Sequence, residues 1–303
     1  MADTHEIDPL FEVKNNFYLG NYQQCINECQ KVKTADSQLT TQRDAFLYRA
    51  YIGQRKYAVV LDAVNRSSAA ELQSVRLLAD YLASPDKRPS ILASLNEKMS
   101  GSLGENDYIS LLMAATVFLY ENDSDSALRL LHQTEHIECL ALAIQTLLSI
   151  DRPDVARKEL ARMQAVDEDS TLTQLATAQV GIHSGGGEKL QDAFYAYQEL
   201  IDKYGSTSSL LNGKASALMC LGRWEEAEPV LQEALDKDCN HPDTLVNMIV
   251  LSQHLGKEAD VCGRYVSQLK DSYRSHPWVQ DFIAKEAEFD KISSNYRESV
   301  ASN

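Results

Sequence analysis

His132, His136 and Cys139 stand four and three residues apart, a spacing at which one helical face could present three ligands to a zinc ion. The surrounding pattern separates them. A helix is predicted to end near His132 and His136, the next to begin at Cys139, and no fourth ligand is evident. Cys25 and Cys29 are also four apart, but both fall where a helix would turn inward, and neither has a nearby base or cation to lower a thiol pKa. His183-Ser184-Gly185-Gly186-Gly187-Glu188-Lys189-Leu190 places a lysine after a glycine run. A phosphate-binding loop needs a preceding strand and a Gly-Lys-Ser/Thr ending, whereas here glutamate precedes the lysine and leucine follows it. An interhelical loop is the simpler reading. No serine sits in a nucleophile elbow, no HExxH occurs, and the carboxylates scatter over solvated helical positions. The expectation is a protein with no catalytic residues, no metal and no cofactor.

The elements that would carry these residues are helices arranged as an internal repeat. Leu221-Gly222-Arg223-Trp224-Glu225-Glu226-Ala227, followed by Leu231, Ala234 and Leu235, reads as one amphipathic helix ending at a glycine and a second beginning at an aromatic. Leu255-Gly256 repeats the turn 34 residues later, and His241-Pro242 and His276-Pro277 mark unit ends 35 apart. Leu19-Gly20-Asn21-Tyr22-Gln23-Gln24-Cys25 copies the turn near the amino end. Ala127, Ala156 and Ala193 fill the small slot in the middle at irregular spacings, so the central units are degenerate. This is the tetratricopeptide pattern. Small residues (Ala115, Ala127, Ala156, Ala193, Ala215, Ala227 and Ala234) let antiparallel helices approach, while Leu131, Leu160, Tyr197, Leu231 and Tyr265 fill the space between pairs. Asp151 is expected to cap the helix opened by Pro153, and Trp224 to be a large buried ring. Val59-Val60-Leu61, the one β-like cluster, falls inside a helical period.

The expected fold is therefore all-α: a single α-solenoid of tetratricopeptide-like helix pairs, wound as a right-handed superhelix over residues 1–292, with a polar carboxy-terminal tail from 293 to 303. The last helix would begin near Pro277 and carry Trp278, Phe282, Phe289 and Ile292 on one stripe.

The 303-residue chain has 44 acidic and 29 basic side chains, a net charge of −15. Such a surface is repelled by nucleic-acid backbones and anionic headgroups, so no nucleic acid is expected and a membrane only indirectly. The longest apolar run, Ile109 to Tyr120, is too short to span a bilayer. The acidic start is no secretory signal, Ala2 excludes myristoylation and the ending SVASN is no prenylation box. Six cysteines without a framework suit reduced thiols and a cytoplasmic location.

In this kind of array the first helix of each pair lines the inner face. The inward slots hold Ile7, Leu10, Phe17 and Tyr18 in the first unit, Leu112, Leu119 and Tyr120 in the middle, and Val246 and Val250 near the end. These apolar and aromatic groups are the candidate partner-binding residues, since they suit a large, largely hydrophobic protein interface. The alternative is that the chain itself buries them. A co-chaperone or adaptor clamp for acidic peptide tails would instead need basic groups beside amides, but the corresponding slots, Asn212, Ser216, Val246 and Val250, hold one amide and no basic residue.

Taken together, the chain resembles the epsilon subunit family of coatomer. The resemblance runs through Asp8 to Ile26 (DPLFEVKNNFYLGNYQQCI), Leu111 to Tyr120 with DSALRLLH after it, and Glu138 to Gln164. It continues in Leu190 to Leu200, Ala217 to Asp238 and His276 to Phe282. The resemblance implies a non-enzymatic subunit of the COPI coat that buds vesicles from Golgi membranes, in Golgi-to-ER retrograde and intra-Golgi transport. It further implies a chain that binds and stabilises the C-terminal domain of the coatomer alpha subunit within a hetero-oligomer of coatomer subunits. Its location would be cytoplasmic, and peripheral on Golgi membranes and coated vesicles.

Overall fold

Where the sequence places small residues, helices meet. Ala115, Ala127, Ala156, Ala193, Ala215, Ala227 and Ala234 are all buried in the computed structural model, which describes residues 8–100 and 107–300. The helices follow one another in pairs: α1 (Phe11–Tyr18) with α2 (Tyr22–Lys31), α3 (Ser37–Gly53) with α4 (Tyr57–Ala63), and α5 (Ala70–Ala83) with α6 (Arg88–Ser100). Next come α7 (Tyr108–Tyr120) with α8 (Ser124–Leu131), α9 (Ile137–Ser149) with α10 (Pro153–Val166), and α11 (Thr171–Ser184) with α12 (Gly187–Tyr204). The last are α13 (Ser208–Cys220) with α14 (Trp224–Lys237), α15 (Pro242–His254) with α16 (Ala259–Ser272), and the lone α17 (Pro277–Val300). A single 3-10 turn, Pro85–Lys87, interrupts the α5–α6 loop, and no strand occurs among the described residues. The all-α helix-pair solenoid expected from the sequence is what the structure shows.

The turn between paired helices needs one left-handed residue after the first helix. Gly20, Gly222 and Gly256 take it, with φ of 79°, 74° and 65°. In the degenerate units Arg55, Asn122 and Asp151 adopt the same conformation, with φ of 60°, 60° and 56°. The turn is thus kept where the glycine is lost, at the steric cost that a Cβ carries in this region. Asp151 accordingly corrects its sequence assignment. It ends α9 rather than capping α10, whose N-cap position is Arg152 with no side-chain bond. Trp224 is corrected as well. It is only half-buried, and its ring stacks on His254 with centroids 3.8 Å apart and planes 8° off parallel.

The chain divides into two compact units, residues 1–200 and 201–303. In the first, α1, α3, α5, α7, α9 and α11 pack each on the next, and α1 also meets α11. There the buried Thr171 hydroxyl donates to Asn15 Oδ1 at 2.9 Å, across 156 residues of sequence. Gly181 of α11 lets α12 lie close, for a Cβ there would stand 3.2 Å from the Lys189 carbonyl oxygen. In the second unit Leu245, Ile249, Leu269 and Val279 form a core joined by Tyr265 and Trp278. Asn212 donates to the Thr244 hydroxyl at 2.7 Å and accepts from Asn247 at 2.9 Å, tying α13 to α15. α17 runs without a break past Ser293, so the residues from 293 to 300 are helical rather than a separate tail.

Candidate partner-binding surface

The inward slots of the first unit converge on a polar centre that the sequence did not announce. Arg49 of α3 donates from Nη2 to Glu138 Oε2 of α9 at 2.5 Å. The Arg49 guanidinium also lies 4.5 Å above the Phe17 ring and 5.0 Å above Phe46. Cation–π contact and ion pairing together offset part of the cost of taking this charge out of water, since Arg49 Nη1 and Glu138 Oε1 are buried without a hydrogen-bond partner. Phe17, Tyr18 and Phe46 pack edge to face, with Phe17–Phe46 centroids at 5.4 Å and Tyr18–Phe46 at 6.1 Å. Burial, reinforced by the Glu138 charge, pushes the Tyr18 phenol well above its ordinary range. Tyr108 is raised for the same two reasons.

Tyr108 stacks on His136, centroids 3.5 Å apart and planes 14° off parallel. His136 is the N-cap of α9, its Nδ1 accepting from the Glu138 amide at 3.3 Å, and burial lowers its pKa from the ordinary 6.5. The three residues of the zinc-like spacing have separate structural roles. His132 closes α8, His136 opens α9, and Cys139 is buried with its Sγ 3.7 Å from the Tyr108 carbonyl oxygen. Burial, followed by the Glu138 charge, pushes the Cys139 thiol up to about 12. No group of three or more potential ligands is assembled among the described residues. Cys25 and Cys29 are buried packing residues, and the hydrogen bond between them followed by burial raises the Cys25 thiol.

Of the candidate binding residues, Ile7 lies outside the described residues. Leu10 and Leu112 are buried and present no surface. Phe17, Tyr18 and Leu119 are half-buried, the first two turned into the Arg49 cluster. Tyr120 is 57% exposed, its ring 6.1 Å from that of Tyr81. Val246 and Val250 are half-buried on α15, with Val246 against the core of the second unit. Tyr120, Val246 and Val250 therefore keep accessible surface, while Phe17 and Tyr18 pack with Phe46 and Arg49. Arg49, Glu138 and Gly53 escaped the sequence because nothing local marks them. Gly53 matters because the Tyr22 ring sits where its Cβ would be, 2.7 Å from that position.

Comparison with known proteins gives a consistent picture. The family model described as coatomer epsilon subunit matches residues 6–297. Coatomer subunit epsilon-1 of Arabidopsis thaliana is 38% identical over 98% of this chain and 100% of its own length. Coatomer subunit epsilon of Caenorhabditis elegans is 36% identical over 96% of this chain and 99% of its own. Among solved structures, a tetratricopeptide repeat protein from Parabacteroides merdae is similar with a TM-score of 0.53 at 11% identity, over 90% of this chain and 95% of that one. That likeness concerns the fold alone.

Proposed function

The chain belongs to the coatomer epsilon subunit family, and from that premise we propose that it is a structural, non-catalytic coat subunit that binds and stabilises the C-terminal domain of the coatomer alpha subunit. Its transport steps are Golgi-to-ER retrieval and intra-Golgi traffic. One observation carries this proposal: relatives named as epsilon subunits match from end to end, so the resemblance concerns the whole molecule and not one repeat. The charge of −15 and the lack, among the described residues, of any helix long and apolar enough to cross a membrane support recruitment to Golgi membranes through partners, from the cytoplasm.

Tyr120, Val246 and Val250 are the inward residues proposed to contact the partner. A lasting coat contact buries on the order of 2,000 Å² or more. Co-expression of the full chain with the alpha subunit's C-terminal domain should yield a complex that survives gel filtration and resists unfolding better than the domain alone. Recovery of a folded chain without that domain overturns the proposal. Val246→Asp with Val250→Asp should weaken the complex while leaving helicity unchanged, and undiminished binding would remove that face. Micromolar affinity for acidic tail peptides would favour a peptide-tail adaptor instead.

A further inference from the structure

A tetratricopeptide array is ordinarily open. Each helix pair touches only its neighbours, so an end can fray without disturbing the middle. The second unit follows that rule among its described residues, with α13 packed on α14 and α15, α14 on α15, and α15 on α16. The first unit does not. Its inner helices α1, α3, α5, α7, α9 and α11 pack in order, and α11 then packs on α1, so the inner row has no free end.

Two buried ties cross this row. Asn15 of α1 and Thr171 of α11, both 5% exposed, share the 2.9 Å hydrogen bond that joins the first inner helix to the last. Arg49 of α3 pairs with Glu138 of α9, with α5 and α7 between them along the row. Tyr18 of α1 also lies within reach of the Glu138 charge. These contacts change what partial opening requires. The end of an open array swings out by breaking one interface, whereas every inner helix here must break two. At α3 or α9 the opening would in addition leave a buried charge unpaired.

We propose that the α1–α11 contact is a clasp that makes the first unit open as a whole rather than one helix pair at a time. Starting to open is costly everywhere on the row, and each lost pair leaves both its neighbours half covered, so opening spreads once it begins. The first unit thus meets any partner as a preformed body whose inward side chains keep their relative positions. The second unit keeps the pair-by-pair give of an open array. The proposal does not rest on the coat reading.

Native-state hydrogen exchange of the full chain, in urea below the unfolding transition, tests this. Thr171→Val keeps the size of the side chain but leaves the buried Asn15 carboxamide without its donor. Slow amides of α5, α7 and α8, which belong to neither clasp helix, should exchange at least about fivefold faster than in the parent chain, and by the same factor as those of α1 and α11. Amides of α15 and α16 should keep their parent rates. Thr171→Ser, a milder change at the same site, should give a smaller acceleration that is again uniform over the first unit. Acceleration confined to α1 and α11, no acceleration in either variant, or an equal acceleration in α15 and α16 would each overturn the proposal.

Discussion

Arg49 and Glu138 are separated by 89 residues of sequence, yet their side chains meet at 2.5 Å with only 9% and 4% of their surface exposed. They join α3 to α9 across two intervening helix pairs, so the pair acts as a tie within the first unit and not as surface decoration. Breaking such a pair from one side leaves a buried charge alone. Glu138→Ala is expected to destabilise the chain by about 3–5 kcal/mol in urea unfolding. Replacing both partners, Arg49→Met with Glu138→Leu, should restore most of that loss. A double variant as unstable as the single one would mean that the Phe17 and Phe46 contacts, rather than the ion pair, hold the centre.

Tyr22 and Gly53 form a second tie, between α2 and α3. A Cβ at position 53 would come within 2.7 Å of the ring, too close for any rotamer of a packed aromatic to accommodate without movement. Gly53→Ala is expected to cost about 1–3 kcal/mol despite the higher helix propensity of alanine. In a Tyr22→Leu background the same change should cost much less, because the clash is gone. Equal costs in both backgrounds would assign the effect to the backbone.

The turns permit a prediction of opposite signs. Gly222 has φ of 74° and open space around it, so Gly222→Ala should destabilise by about 1 kcal/mol through backbone strain alone. Asp151 has φ of 56°, so Asp151→Gly should be stabilising or neutral even though glycine is normally costly. Thermal unfolding of the two variants decides it, and a loss of stability in both would show that Asp151 contributes more than its conformation.

His136 gives a pH dependence whose direction is fixed by burial. Its folded-state pKa lies below the ordinary 6.5, so the unfolded chain binds the proton more readily. Stability from this group is therefore full above about 6.5, falls as the pH drops below it, and levels off under the lowered folded value. Urea unfolding between pH 7.5 and 5 should show His136→Asn, which keeps an N-cap acceptor, to be less acid-sensitive than the parent chain. The same pH dependence in both chains would place the acid response elsewhere.

The sequence made the helix pairs legible because their signals are local. A glycine after an amphipathic stretch, an aromatic two residues on and an alanine three after that specify each turn within ten residues. Where the glycine was lost, at Arg55, Asn122 and Asp151, the turn survived, since packing of the flanking helices outweighs the cost of one left-handed residue. The exposure of the inward slots, by contrast, was not legible: Leu10 and Leu112 are buried, whereas Tyr120 is exposed.

By itself, then, the sequence determined the all-α class, the repeat pitch, the small residues at helix contacts and the absence of any recognisable catalytic motif. Only the tertiary structure decided which inward side chains remain available. Periodicity fixes the face a residue takes on its own helix, whereas cover comes from partners 89 or 156 residues away, as Glu138 is to Arg49 and Thr171 to Asn15. Such pairings leave no trace in a window of a few turns, because the energy that selects them arises only when distant helices meet.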